Sequence, residues 1–169
     1  MTEERYRAER VSDPSTRTVH RRGRMAGMTG LIATASTVVD ADQRTVWRAV
    51  TGPAEVKQWF FGTHLATDWQ PGSPITWSGE YEGTSYEDKG QVVAVDEPNR
   101  LEVTHFSPLS GQEDRPENYH TLVYTLEPDG ARTRVTITQD NNGDQDEADR
   151  NAATWSQMLE GLSQHLAGG

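Results

Sequence analysis

Trp155, Met158, Leu159, Leu162 and Leu166 recur at intervals of three and four residues near the C-terminal end of the chain. That spacing puts all five on one stripe of a helix, predicted over residues 144–166. The stretch before it has a different period. Between residues 64 and 139 apolar and polar residues alternate, the pattern of strands with one buried face. A long helix with a single apolar stripe has to be covered. A sheet of many antiparallel strands has to twist and curl. The simplest solution wraps the curved sheet on the helix and leaves a space between them. The chain is therefore expected to be a container.

The segments divide at clear turn signals. Residues 31–39 (LIATASTVV) are β-branched and alternating, a strand. Asp40 then stands as an N-cap, with Gln43 three residues on as its capping-box partner. The helix that follows turns Val46, Trp47 and Val50 to one side. Thr51-Gly52-Pro53 ends it and starts a second helix with Pro53 at its first position. This second helix carries Val56, Trp59 and Phe60 and ends near Gly62. Strands are predicted at residues 64–68, 74–82, 84–96, 100–106, 119–127 and 132–140. Gly, Pro, Asn and Asp clusters separate them, and residues 107–118 read as a long polar loop. Asp144 with Glu147 caps the final helix. Helices segregated from one antiparallel sheet make an α+β domain. It is expected over residues 30–169, with residues 1–29 as a disordered basic tail.

Charge is unevenly spread. The chain carries −10, but residues 1–30 hold seven Arg against four acids, so the remainder carries −13. A surface so acidic repels phosphate backbones and anionic bilayers, which argues against nucleic acid and membrane as partners of the folded part. Cys is absent, which removes disulfides, thiolate zinc sites and cysteine nucleophiles. No apolar run approaches the roughly 20 residues that span a bilayer, and no signal-peptide core follows the N-terminal charges. A cytoplasmic location is the expectation.

Chemistry-bearing motifs are few. None of the five His stands at metal-ligand spacing from another. His105 shares a strand face with Leu101 and Val103, and His120 shares one with Leu122 and Tyr124. His105, His120 and Tyr124 are thus the catalytic candidates, as a general base or as donors to a ligand carbonyl. The plainer reading is a pair of strand histidines bonded to backbone or water. Asp140, Asn142 and Asp144 alternate like the start of a calcium loop, but Gln145 stands where that loop needs Gly, and Asn151 where it needs Glu. A capped turn explains the run better, and neither metal nor cofactor is implied. The aromatics are the stronger signal. Trp59, Trp77, Tyr124 and Trp155, with Leu159, are the expected ligand-binding wall, since ligand sites favour aromatic walls with a few polar groups. The alternative is that they fill the space outright.

Four stretches carry a resemblance. Residues 40–61 (DADQRTVWRAVTGPAEVKQWFF) resemble the opening of the SRPBCC, or START-like helix-grip, superfamily. Within it they look like the subgroup related to the C-terminal domain of the 90-kDa heat-shock protein ATPase activator. Residues 86–92 (YEDKGQV) resemble its strand with a Gly before an apolar pair, and Pro98-Asn99-Arg100-Leu101 its Pro-x-x-Leu strand entry. Thr154-Trp155 with Leu159 and Leu162 resembles its C-terminal helix. Two departures stand out: Trp59-Phe60-Phe61 replaces a commoner double Trp, and Thr154 stands where Gly is usual. The resemblance implies a helix-grip fold whose members bind lipids, sterols, polyketides or hormones, some with cyclase or ring chemistry. Three functions follow as expectations. The first is a non-catalytic module enclosing a small hydrophobic or amphipathic molecule. The second is a cyclase-, hydratase- or isomerase-type enzyme using a cavity His and Tyr. The third is a chaperone-ATPase-activator-like interaction module, with a chaperone partner and a place in stress response. A homodimer is a further partner to consider. Fold alone does not choose among them.

Overall fold

The computed structural model describes residues 28–168, so most of the expected tail, residues 1–27, lies outside the described residues. In chain order come β1 (Leu31–Val39), α1 (Gln43–Thr51), α2 (Pro53–Trp59), β2 (His64–Ala66), β3 (Pro74–Tyr81), β4 (Thr84–Asp96) and β5 (Arg100–His105). Two single 3₁₀ turns, Pro108–Ser110 and Pro116–Asn118, lead to β6 (His120–Asp129), β7 (Arg132–Asn142) and α3 (Gln145–Gly168). One antiparallel sheet has the order β1-β7-β6-β5-β4-β3-β2. This is the α+β helix-grip architecture, with β1 and β2 at the two rims and α3 against the inner face.

The stripe on α3 organises the core. Trp155, Leu159 and Leu162 are buried, and Met158 and Leu166 pack against them. Facing them are Ile75, Leu101, Val103, Leu122, Leu126, Val135 and Ile137, inward residues of β3, β5, β6 and β7. A buried side chain of this size contributes about 1.5–3 kcal/mol. Val46, Trp47 and Val50 of α1, with Val56 and Trp59 of α2, close the end of the barrel-like half.

Gly90 marks where the sheet bends. A Cβ there would meet the Thr104 carbonyl oxygen at 1.7 Å and its carbon at 2.5 Å. The β4–β5 pairing slips by one residue between Val92 and Ala94, a bulge that lets the long β4 serve both halves of the sheet. Only a residue without a side chain permits this crossing.

The observed ends depart from the predicted ones for local reasons. The N-cap of α1 is Asp42, not Asp40: its Oδ1 accepts the Thr45 N–H at 2.8 Å. That N–H holds the Asp42 carboxyl below its ordinary pKa. Gln43 is no capping-box partner. Its Nε2 donates to the Leu126 carbonyl at 2.8 Å and to Asn99 Oδ1 at 2.9 Å, which ties α1 to the sheet rim. The predicted strand 64–68 stops at Ala66, because Thr67 and Asp68 turn their side chains back onto the N–H groups of Trp69 and Gln70. Pairing also begins before residue 30. Thr29 donates to Asp140 Oδ2 at 2.9 Å and its carbonyl accepts from Asn141 N at 2.7 Å.

The acidic run before α3 is occupied by such bonds. Asn142 Nδ2 donates to the carbonyls of Leu31 and Gln139. Asp144 Oδ1 accepts the Glu147 N–H at 2.8 Å, and Glu147 Oε1 accepts the Gly143 N–H at 2.9 Å. The predicted box therefore forms, with its return bond one residue earlier than Asp144. Among the described residues no helix is long and apolar enough to cross a membrane.

Candidate functional site

Along the N-terminal half of α3 the helix and the sheet separate and enclose a cavity of about 620 Å³. Asn151, Thr154, Trp155 and Met158 of α3 form its roof. Its floor is Trp77 of β3, Tyr86 and Asp88 of β4, His105 of β5 and Leu122 of β6. Phe60 and Phe61 close one side. Tyr81, Glu82 and Thr84 of the β3–β4 turn, with Leu109, ring the mouth. There Phe61, Tyr81 and Leu109 are 49%, 54% and 62% exposed, so the entrance itself is apolar.

A strained turn places the mouth aromatics. Phe61 has φ 51° and Gly62 φ 72°, both left-handed. For a residue with a side chain this costs on the order of 1–3 kcal/mol. The turn ends α2 and carries the Phe61 ring to within 5.8 Å of Tyr81. Phe60 points the other way and meets Trp155 edge-on at 6.1 Å.

One polar pair interrupts the apolar floor. Asp88 stands opposite Trp77 in the β3–β4 register. Its Oδ2 lies 2.8 Å from His105 Nε2, and both side chains are about four-fifths buried, at 19% and 21% exposed. The His105 ring meets Trp77 edge-on at 5.2 Å. Asp88 Oδ1 and His105 Nδ1 are buried and have no hydrogen-bond partner among the described residues. Tyr86, by contrast, is satisfied: its hydroxyl lies 2.6 Å from Thr63 Oγ1. Among the described residues no group of three or more His, Asp or Glu is placed to hold a metal ion.

Residues 40–167 match the family described as Activator of Hsp90 ATPase homolog 1-like protein. The chain belongs to this activator-like family. A Cytophaga hutchinsonii protein solved in solution is 41% identical over 83% of this chain and 96% of its own, with a TM-score of 0.72. DynU16, from the dynemicin biosynthetic locus, is 23% identical over 80% of this chain and 47% of its own, with a TM-score of 0.68. The Aha1 dimer of Colwellia psychrerythraea is 17% identical over 79% of this chain and 93% of its own, with a TM-score of 0.62. The last two share the fold. Comparison with curated proteins found no match.

In this activator-like domain the residues singled out from sequence fall in two groups. Trp77, Trp155 and His105 line the cavity. Trp59, Tyr124 and Leu159 lie behind the wall. Trp59 donates its indole N–H to the Ala49 carbonyl at 2.9 Å. Tyr124 is buried against Trp155, ring centres 6.1 Å apart, and burial pushes its phenol pKa up. His120 donates through Nδ1 to the Asp140 carbonyl at 2.7 Å and does not line the cavity, so it takes the plainer, backbone-bonded role. Sequence reasoning missed Asp88, Phe60, Phe61 and Met158 as lining residues. Of the two departures from the family pattern, Trp59-Phe60-Phe61 contributes Phe60 and Phe61 to the lining, and Thr154 lines the cavity as well. Tyr124→Phe is accordingly expected to leave the affinity for an oxygen-bearing ligand unchanged; a loss of tenfold, about 1.4 kcal/mol, would place the phenol on the wall after all.

Proposed function

We propose that this protein is a non-catalytic binding module that encloses a small hydrophobic or amphipathic molecule between α3 and the sheet. The observation that carries the reading is the cavity: about 620 Å³, walled by Phe60, Trp77, Trp155 and Met158, with one polar pair in its floor. Ligand pockets commonly measure roughly 300–1,000 Å³ and combine an apolar wall with few polar groups. The apolar mouth adds to this. Phe61, Tyr81 and Leu109 are exposed to water, and a bound molecule would cover them.

The test is titration with N-phenyl-1-naphthylamine, a neutral apolar fluorophore. It is expected to brighten on binding and to stabilise the protein by ~2.7 kcal/mol at one hundred times its Kd. Thr154→Trp places an indole in the roof from a solvent-exposed helix position. It is expected to abolish binding while the fold persists. Binding that survives this change unaltered would move the ligand elsewhere.

The Asp88–His105 pair favours a second reading, an isomerase-type enzyme. A carboxylate on Nε2 fixes the ring and leaves Nδ1 as the base. This reading predicts that the protein accelerates deuterium exchange α to the carbonyl of 2-tetralone and that His105→Ala removes the effect. Exchange at the buffer rate in wild type would sink it.

A further inference from the structure

We infer that the cavity selects a cationic amphiphile, an apolar body bearing an amine, and rejects anionic ones such as fatty acids. The inference rests on the binding reading above and narrows its ligand class.

The first observation is the pair of unpartnered atoms. An ionised carboxylate only accepts hydrogen bonds. With Asp88 Oδ2 on Nε2, the neutral tautomer of His105 that makes this bond carries its proton there and leaves a lone pair on Nδ1. In that tautomer Asp88 Oδ1 and His105 Nδ1 are two buried acceptors, and nothing among the described residues donates to them. Each unmet buried acceptor is destabilising, because it has given up water and gained no donor in its place. A ligand that brings N–H donors relieves this cost. A ligand that brings only acceptors adds to it.

The second observation is charge. Among the described residues, the carboxylate side chains lining the cavity are Glu82 at the mouth and Asp88 in the floor, and no Lys or Arg lines it. A carboxylate or phosphate entering would be desolvated with no cation to meet it, which is strongly unfavourable. An ammonium would meet Asp88 inside a weakly screening, aromatic-walled space. On the way in it would pass Glu82, beside the Phe61 and Tyr81 rings 5.8 Å apart. Aromatic faces attract cations. The two observations share Asp88; Glu82 and the missing cation add to it, and all point the same way.

Three probes with one naphthalene body separate the possibilities: 1-ethylnaphthalene, 2-(1-naphthyl)ethylamine and 1-naphthaleneacetate. Calorimetry on the full chain at pH 7 is expected to give the amine an advantage of about tenfold or more over ethylnaphthalene, the size of a desolvated cation contact, and the acetate the weakest affinity. Asp88→Asn is expected to collapse the ratio of amine to ethylnaphthalene affinity. Glu82→Gln, in an exposed turn, is expected to reduce it partially, and stands in if the Asp88 variant does not fold. Glu160→Gln, on the exposed face of α3, changes net charge equally and is expected to leave the ratio alone. Ethylnaphthalene binding as tightly as the amine overturns the inference and leaves the binding reading standing. Equal erosion by Glu160→Gln also overturns it, because the attraction would then be the general surface charge. If no probe binds, both readings fall.

Discussion

Trp155→Ala is expected to destabilise the protein by ~3–5 kcal/mol, the range for large aromatics removed from cores. Three roles converge on this side chain. It is 7% exposed at the junction of α3, β6 and β7. It meets Phe60 and Tyr124 edge-on, both at 6.1 Å. Its indole N–H donates to Gln139 Oε1 at 2.7 Å, and Gln139 is itself buried. Truncation leaves a hole and an unmet amide oxygen together, so the upper half of the range is expected. Trp155→Phe keeps most of the ring volume and loses the hydrogen bond, and should cost ~1–3 kcal/mol. Urea unfolding of both variants checks the pair. A cost below about 1 kcal/mol for the Ala variant would mean that the α3 stripe does not hold the sheet.

Gly90→Ala is expected to be as damaging, through strain rather than loss. The new methyl would sit 1.7 Å from the Thr104 carbonyl oxygen. That neighbour is backbone, so no rotamer change relieves the overlap. Strands β4 and β5 must part, and the loss should reach or exceed ~3 kcal/mol, the upper end for overpacked sites. Gly79→Ala is the control. Its methyl would meet the Tyr86 side chain at 2.9 Å, which can turn away. It should cost measurably less. Equal melting temperatures for the two variants would show that the bend at Gly90 has room to spare.

The elements that were legible in the sequence are those with long periods. The α3 stripe and β4 over residues 84–96 were readable because each repeats its pattern over several turns or pleats. Single-residue signals were less legible. Two Asp stand two positions apart at the start of α1, and either could cap; the path from β1 chose Asp42. Thr67 and Asp68 continue the alternation of β2, and only their bonds back to Trp69 and Gln70 end it.

The cavity shows the same division. Strand alternation gives the face of the sheet but not the position across it. Tyr124 and Leu122 share the inner face of β6, yet Leu122 borders the cavity and Tyr124 lies in packed core. Phe61 reaches the mouth only through its left-handed turn, which no spacing announces. Asp88 meets His105 because β4 and β5 pair across a bulge, and that register is a property of the folded sheet.

The central claim is that a small molecule binds between α3 and the sheet, and the indole N–H resonances test it most directly. The chain has five Trp. Trp77 and Trp155 line the cavity, whereas Trp47 lies in the α1 core and Trp69 donates its indole N–H to the Thr51 carbonyl at 2.9 Å. Saturation with N-phenyl-1-naphthylamine in a ¹⁵N–¹H correlation experiment should shift the Trp77 and Trp155 indole signals and leave those of Trp47 and Trp69 in place. Unmoved Trp77 and Trp155 signals at saturating probe, or shifts confined to Trp47 and Trp69, would contradict binding in this cavity.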